Sequence, residues 1–546
     1  MMARLQDFHA SEIVAVRPEP PKGHVDRAED AGPLIKTILT AYRSRANASD
    51  ALSQCLALIA GQGTPAVVEA LGKLSPAWKD HAIASVYAVL MPGERRKRLG
   101  AYFTPPHLVD HLLGRLQDLG LDLATHRLRD PAAGGAAFLV PLARRKVCVW
   151  RASGVADDVI VSDLAAQLRG CEIDADLASL ANALLRRMLV EEFGIAEALV
   201  ASLTIVATGD SLAAPVGAAT EIDHEIGNPP YLRLPRAIET ARQDEFLDIS
   251  NGRLNLYAMF LRRALDHVPA RGLIGYVIPA SFLGGPEFKT FRATVASLAE
   301  VLVIDLIEKR SDVFLDATQD ACFVVLRRRQ RPLATSAESK ASSGLLKSDG
   351  AFKALGDAII GAGGAPWRLP GKELDQSATL ADWGYRGSIG YLVANRQPER
   401  LHTEAGSGRY PLVWAKAISP EGKFDFDRAL EHKESGWVDA PEAAPYIVRT
   451  GCVAIQRTSS RGQKRRITAA PIPAAFVEEH GGIIAENHVI LLVPTTPLAA
   501  SVEALAAALN STHASEQLDR VCGSASISVR LLETLQLSRP PSDSEQ

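Results

Sequence analysis

At 546 residues the chain exceeds what one ordinary hydrophobic core holds, so several units of common domain size are expected. Hydrophobic content of 47 %, charged content of 23 % and a mean hydropathy near zero exclude a disordered or fibrous chain. The net charge of -3 excludes a uniformly basic surface, so any contact with a polyanion has to come from a local patch. No apolar run is long enough to span a bilayer, and Met1-Met2-Ala3-Arg4-Leu5-Gln6-Asp7 lacks the apolar core of a secretory leader; a cytoplasmic location without membrane contact is expected. The six cysteines stand far apart with no C-x-x-C pair, and His107 and His111 have no carboxylate motif beside them. No metal site or disulfide framework is expected.

Residues 1 to about 30 are polar, proline-bearing and aperiodic, and read as a loosely ordered lead-in. From Pro33 to Val89 apolar residues recur at helical spacing, as at Leu34, Ile38, Leu39 and Tyr42, so residues 1–94 form a lead-in and a helical region. After Arg95-Arg96-Lys97-Arg98 comes Tyr102-Phe103-Thr104-Pro105-Pro106. Thr104 before proline predicts a helix start: a hydroxyl for the cap, then a residue whose missing N–H costs nothing. Free N–H groups at such an end can hold a carboxylate.

Leu128-Arg129-Asp130-Pro131-Ala132-Ala133-Gly134-Gly135-Ala136-Ala137-Phe138-Leu139 runs from a short strand through a small-residue turn into a helix, where backbone can approach a ligand closely. The G-x-G-x-x-G spacing of dinucleotide sites is absent. Leu168-Arg169-Gly170-Cys171-Glu172-Ile173-Asp174 reads as a second strand ending in a carboxylate, suited to two ribose hydroxyls. A third strand, Leu203 to Leu212, ends near Asp210, which can accept from an adenine amino group. Then Ile226-Gly227-Asn228-Pro229-Pro230-Tyr231 must break the chain in a stiff turn, because proline fixes φ and removes a donor. That turn offers the Asn228 side-chain oxygen and the Pro229 carbonyl as paired acceptors beside the Tyr231 ring, which suits a planar amino group. An ordinary proline turn is the bland alternative; four strand-end features in this order weigh against it.

A helix from Gly252, a buried strand from Gly272 to Pro279 and late strands at Val301–Leu306 and Ala321–Leu326 follow, the last two flanking the loop with Val313-Phe314. Alternating strands and helices over residues 95–330 predict an α/β, doubly wound, mainly parallel sheet with its site at the carboxyl strand ends. Residues 331–365, rich in Ser, Ala, Lys and Gly, read as a linker with marginal helix. Residues 366–546 form a further mixed α/β domain of short strands. It contains Arg457-Thr458-Ser459-Ser460-Arg461-Gly462-Gln463-Lys464-Arg465-Arg466, a cationic loop that is either a solvated face or a phosphate- and base-contacting surface.

From Gly100 to about Leu326 the sequence resembles the amino-group DNA methyltransferases that modify adenine at N6, in the TaqI-like, Eco57I-type subgroup with a target-recognition domain at the carboxyl end. Gly252-Arg253-Leu254-Asn255-Leu256-Tyr257, Val277-Ile278-Pro279-Ala280-Ser281-Phe282-Leu283 and, more faintly, Asn395-Arg396-Gln397-Pro398 and Ala508-Leu509-Asn510-Ser511 carry the likeness; residues 1–94 lie outside it. The resemblance implies a class I, Rossmann-like methyltransferase domain using S-adenosylmethionine, with double-stranded DNA as substrate and a restriction-modification setting. A separate restriction endonuclease is then a candidate partner, and a monomer is expected. It implies Thr104, Asp130, Ala132, Gly134, Glu172, Ile173, Asp210 and Asn228 as cofactor residues. Asn228, Pro229, Pro230 and Tyr231 would be catalytic, with Tyr231 and Phe314 flanking the base. Arg457, Arg461, Lys464, Arg465 and Arg466 are candidate DNA contacts. One departure stands out. The family's turn reads Asp-Pro-Ala-Cys-Gly-Ser-Gly, whereas Ala133, Gly135 and Ala136 fill the places of its Cys, Ser and last Gly. The same chemistry on RNA or a protein glutamine amide, and an inactive DNA specificity module, are the alternatives.

Overall fold

The computed structural model describes residues 24–44, 50–99, 103–213, 222–234, 243–250, 254–308, 320–334, 337–371, 377–431, 435–459, 465–521 and 527–540. It divides into two compact units, residues 1–280 with 287–365, and residues 281–286 with 366–546. Among the described residues no helix is long and apolar enough to cross a membrane.

The first unit is built on a nine-stranded sheet ordered β3-β2-β1-β4-β5-β7-β6-β8-β9. The strands are β1 (Leu128–Asp130), β2 (Leu168–Glu172), β3 (Val206–Thr208), β4 (His224–Gly227), β5 (Leu273–Pro279), β6 (Ala299–Ile307), β7 (Ala321–Arg328), β8 (Ser339–Leu346) and β9 (Phe352–Ile360). The first five in that spatial order are parallel, and β7 runs antiparallel to both its neighbours. This is a doubly wound, Rossmann-like arrangement. β5 is buried along its whole length, as its unbroken apolar run requires of a central parallel strand. The strand order reverses between β1 and β4, and ligand sites of open α/β sheets lie at that switch point, beyond the carboxyl strand ends.

Before the sheet come α1 (Ala28–Arg43), α2 (Ala51–Ile59), α3 (Pro65–Lys73), α4 (Pro76–Leu90), α5 (Gly93–Leu99) and α6 (Pro106–Asp118). Helices α7 (Leu139–Ala152), α8 (Asp157–Gln167) and α9 (Ala175–Phe193) follow within the sheet region, with α9 capped by the Asp174 carboxylate and ended by Gly194 at φ +65°. The early helices are not a separate body. Residues from Ala31 to Met91 share one hydrophobic core with the sheet and with α6–α9. A buried ion cluster fixes the join: Asp80 of α4 accepts from Arg144 of α7 at 3.0 Å and from Arg187 of α9, while Arg144 also holds Glu192 at 2.6 Å.

The linker expected over 331–365 is overturned. Instead, β8 pairs parallel with β6 and turns back antiparallel into β9, adding a hairpin to the sheet edge. A composition of Ser, Ala, Lys and Gly carries little intrinsic strand signal; the partner strand supplies the order.

In the second unit, Tyr385–Ile389, Val489–Pro494, Cys452–Gln456 and Ala469–Ile472 form an antiparallel sheet, and Leu401–His402, Trp437–Asp439, Arg409–Val413 and Ile484–Ala485 form a mixed one, its last pair parallel. Two apolar clusters pack on these sheets. One gathers Trp383, Tyr385 and Leu505, the other Tyr410, Trp414 and Val477.

Candidate active site

The residues at the switch point come together. Asp130 ends β1 and Gly227 ends β4, and a β-carbon on Gly227 would stand 2.8 Å from Asp130 Oδ1, so only glycine allows the two strand ends this approach. Asp130 is buried, its Oδ1 accepts from the Ala132 amide at 3.1 Å, and Oδ2 has no protein partner. Burial pushes its carboxyl up to about 8; neighbouring Glu172 and Glu225 add to the rise, and the Ala132 amide opposes it.

The turn after β1 wraps Glu172. Gly134, at φ +52°, donates its amide to Glu172 Oε2 at 2.8 Å, and the Asp174 amide donates to Oε1 at 3.0 Å. Burial raises this carboxyl above its ordinary range, partly offset by those two amides. Each oxygen keeps further acceptor capacity. Ile173, the next residue, is 61 % exposed, an unusual position for an isoleucine at a strand end. Asp210 is exposed just past β3 and accepts from the Leu212 amide at 2.9 Å, while Ser211 ties this loop to the Pro131 carbonyl at 2.6 Å.

The Asn228 amide group donates from Nδ2 to Thr104 Oγ1 at 3.0 Å, which leaves Oδ1 buried with no protein partner. This corrects the reading of Thr104 as a helix cap. The residue flanking α6 is Pro105, and the Thr104 hydroxyl serves Asn228 instead. Pro229 is buried and Pro230 half-buried. Tyr231, half-buried, donates to the Val277 carbonyl of β5 at 3.0 Å and meets the Tyr257 ring edge-on, 6.3 Å between centroids. Thr104, Asp130, Ala132, Gly134, Glu172 and Asn228 thus gather around the ends of β1, β2 and β4. Phe314 lies outside the described residues.

Sequence reasoning missed the residues that hold this site from behind. The Phe103 ring would stand 3.3 Å from a β-carbon at Gly134, and Ala84 Cβ would stand 2.7 Å from one at Gly135. Phe103 is detectable as the neighbour of Thr104; Ala84, on a distant helix, has no local signal. Ala136, in the place of the family's last glycine, keeps a left-handed backbone at φ +59° despite its side chain.

In the second unit the cationic loop joins the strands Cys452–Gln456 and Ala469–Ile472. Arg457 donates to the Asn487 carbonyl at 3.1 Å and Arg465 to the Glu421 carbonyl at 3.3 Å. Arg461 and Lys464 lie outside the described residues. Arg466 is withdrawn from the expected DNA-contacting set, because it is 2 % exposed and pairs with Asp519 at 2.7 Å.

Residues 199–314 match the model of the Eco57I restriction-modification methylase family. The chain is 29 % identical over 198 residues to the type II methyltransferase M.PaeR7I of Pseudomonas aeruginosa, covering 34 % of this chain and 33 % of that one. It is 28 % identical over 249 residues to the type II methyltransferase M.XhoI of Xanthomonas vasicola, covering 44 % of each. The chain thus spans less than half the length of these relatives. Among solved structures it is similar to a DrdV–DNA complex, at 13 % identity and a TM-score of 0.48, covering 89 % of this chain and 59 % of that one. Domains of this methylase type use S-adenosylmethionine. The residues at the switch point fit that molecule: buried Asp130 Oδ2 is a polar atom without a protein partner, Gly134 presents backbone where a side chain would intrude, and Ile173 gives an apolar platform.

Proposed function

We propose, from the premise that this chain carries an Eco57I-type methyltransferase domain, that it is a site-specific DNA methyltransferase of a restriction-modification system. Its target is the exocyclic N6 of an adenine extruded from duplex DNA. The observation that carries the reading is the Asn228 clamp, whose Oδ1 is a buried acceptor without a protein partner, held by the bond from Nδ2 to Thr104. When bound, S-adenosylmethionine supplies an electrophilic sulfonium methyl. Glu172 would accept from its ribose hydroxyls, Ile173 would support its adenine, Asp210 would accept from the adenine amino group, and Asp130 and Thr104 would hold the methionyl end.

The target nitrogen is a poor nucleophile because its lone pair is delocalised into the ring. Asn228 Oδ1 and the Pro229 carbonyl accept its two hydrogens and hold the lone pair out of conjugation, so transfer depends on positioning and on acceptors already in place. Pro230 stiffens the turn. Extruding the base costs a few kcal/mol, which stacking on the Tyr231 ring helps offset, with Phe314 proposed on the other face. Arg457, Arg461, Lys464 and Arg465 are the proposed phosphate contacts, and a separate restriction endonuclease is the proposed partner.

The test is methyl transfer from labelled S-adenosylmethionine to mixed-sequence duplex DNA, with nucleoside analysis and Asn228→Ala as control. N6-methyladenine from the wild type alone supports the proposal. Unlabelled DNA with intact cofactor binding moves the target to RNA or a glutamine amide; loss of cofactor binding as well leaves only an inactive specificity module.

A further inference from the structure

The helices before residue 100 have no part in the reaction as described, yet their side chains end on the cofactor corner. Asp174 follows Glu172 and Ile173 directly. Its Oδ1 caps α9 by accepting from the amides of Asp176 at 3.1 Å and Leu177 at 3.2 Å, which already satisfies the helix end. Two further donors arrive from far back in the chain. Tyr87 of α4 donates its hydroxyl to Oδ1 at 3.2 Å, and Arg95 of α5 donates to Oδ2 at 2.6 Å. The Asp174 amide in turn donates to Glu172 Oε1, and Gly134 donates to Oε2. A continuous chain of hydrogen bonds therefore runs from Arg95 and Tyr87 through Asp174 to the ribose carboxylate and the turn around it. Ala84, one helical turn before Tyr87, lies behind Gly135 of the same turn.

We propose that Arg95 and Tyr87 are positioning residues for S-adenosylmethionine, and that the early helices form the back wall of the cofactor site. Tyr87 is 1 % exposed, and burial together with Asp174 holds its phenol well above its ordinary range, so it remains a neutral donor. The Asp174 side chain is 1 % exposed while that of Arg95 is 42 % exposed. Replacing Arg95 therefore removes a tether without opening a cavity. This inference rests on Glu172 as a cofactor ligand, and the test separates the two.

Binding of S-adenosylmethionine to the full chain is measured by calorimetry for the wild type, Arg95→Ala, Arg95→Lys, Tyr87→Phe and Glu172→Ala, each with a thermal melt. A charge-assisted bond passing its effect through one neighbour predicts about tenfold weaker binding for Arg95→Ala, about threefold for Tyr87→Phe, and recovery of most of the loss in Arg95→Lys. A merely structural contact would lower the melting temperature and leave the Kd of the folded variant alone. If the Arg95 and Tyr87 variants bind like the wild type while Glu172→Ala does not, the positioning role is overturned and the cofactor site stands. Wild-type-like binding by Glu172→Ala removes the ribose carboxylate, and this inference with it. Should Tyr87→Phe not fold, the two Arg95 variants still decide.

Discussion

Replacing Gly135 by serine, the residue that the pattern this turn resembles has at that place, tests why the turn departs from it. A β-carbon there would stand 2.7 Å from Ala84 Cβ and 3.2 Å from Phe103 Cε1. Ordinary carbon–carbon contact is about 3.5–4.0 Å, so roughly 1 Å must be found. The nearer collision is between two β-carbons, each attached directly to backbone, and neither can rotate aside. Either α4 retreats or the turn does. Overpacking of this kind costs about 1–3 kcal/mol, and the turn's movement would also shift the Gly134 amide away from Glu172. The assay is urea unfolding of Gly135→Ser, Ala84→Gly and the double variant. Ala84→Gly alone should cost about 0.5–1 kcal/mol as a glycine inside a helix. In the double variant that collision is gone, so the two changes should couple favourably by about 1 kcal/mol or more. A Gly135→Ser protein as stable as the wild type, or strictly additive effects, would refute the claim that α4 dictates this residue.

The other predictions concern buried charge. Asp80→Ala takes from the buried guanidinium groups of Arg144 and Arg187 one of their carboxylates and leaves them Glu192 and Glu191, so it should lower stability by about 1–3 kcal/mol in denaturant melts; no measurable loss would mean that those two carboxylates suffice. Asp130 has a folded pKa of about 8 against an ordinary value of 3.8, so the folded protein holds that proton more firmly. Its contribution to stability is full below the unfolded value and is withdrawn as pH rises through the folded one. Cofactor-free wild type should therefore lose stability relative to Asp130→Asn between about pH 4 and 8, by at most about 1.4 kcal/mol per pH unit, and run parallel to it above that. Urea midpoints that stay parallel from about pH 5 to 8 would contradict the burial argument. Arg466→Ala should destabilise by about 1–3 kcal/mol, through loss of the Asp519 pair, while the salt dependence of the proposed DNA binding stays that of the wild type. A salt slope reduced by about 1 would instead return Arg466 to the phosphate contacts.

Much of the site is legible because its residues sit at strand ends, where a short apolar run meets a turn. Asp130, Glu172 and Asn228 are read that way, and the structure gathers them. Thr104 stands out for the wrong reason. Threonine before proline is a local cap signal, but its actual partner, Asn228, lies 124 positions away, and local patterns carry no information about such pairs. Arg466 misleads for a related reason: a charge run shows that a loop is cationic, not which side chain turns inward. The strands at Ser339–Leu346 and Phe352–Ile360 are hidden because their order comes from the edge of β6 rather than from their own composition. The packing of α4 behind the turn is visible nowhere locally, since Ala84 looks like any helical alanine.

The β8–β9 hairpin also decides where this protein can be cut. A fragment ended at residue 330, where composition shifts, would leave the peptide groups of β6 from Val303 to Ile307 facing solvent, having lost Ser342 to Leu346 as their ladder. An uncovered strand edge recruits the same edge from another copy, so such a fragment would be expected to form aggregates during expression. Ended after residue 365, the fragment keeps that ladder filled and presents β9 outward instead, a strand whose first six residues are exposed and include Lys353 and Asp357. The hairpin is thus the sheet's own selvedge, and any truncation that is meant to stay soluble has to leave it whole.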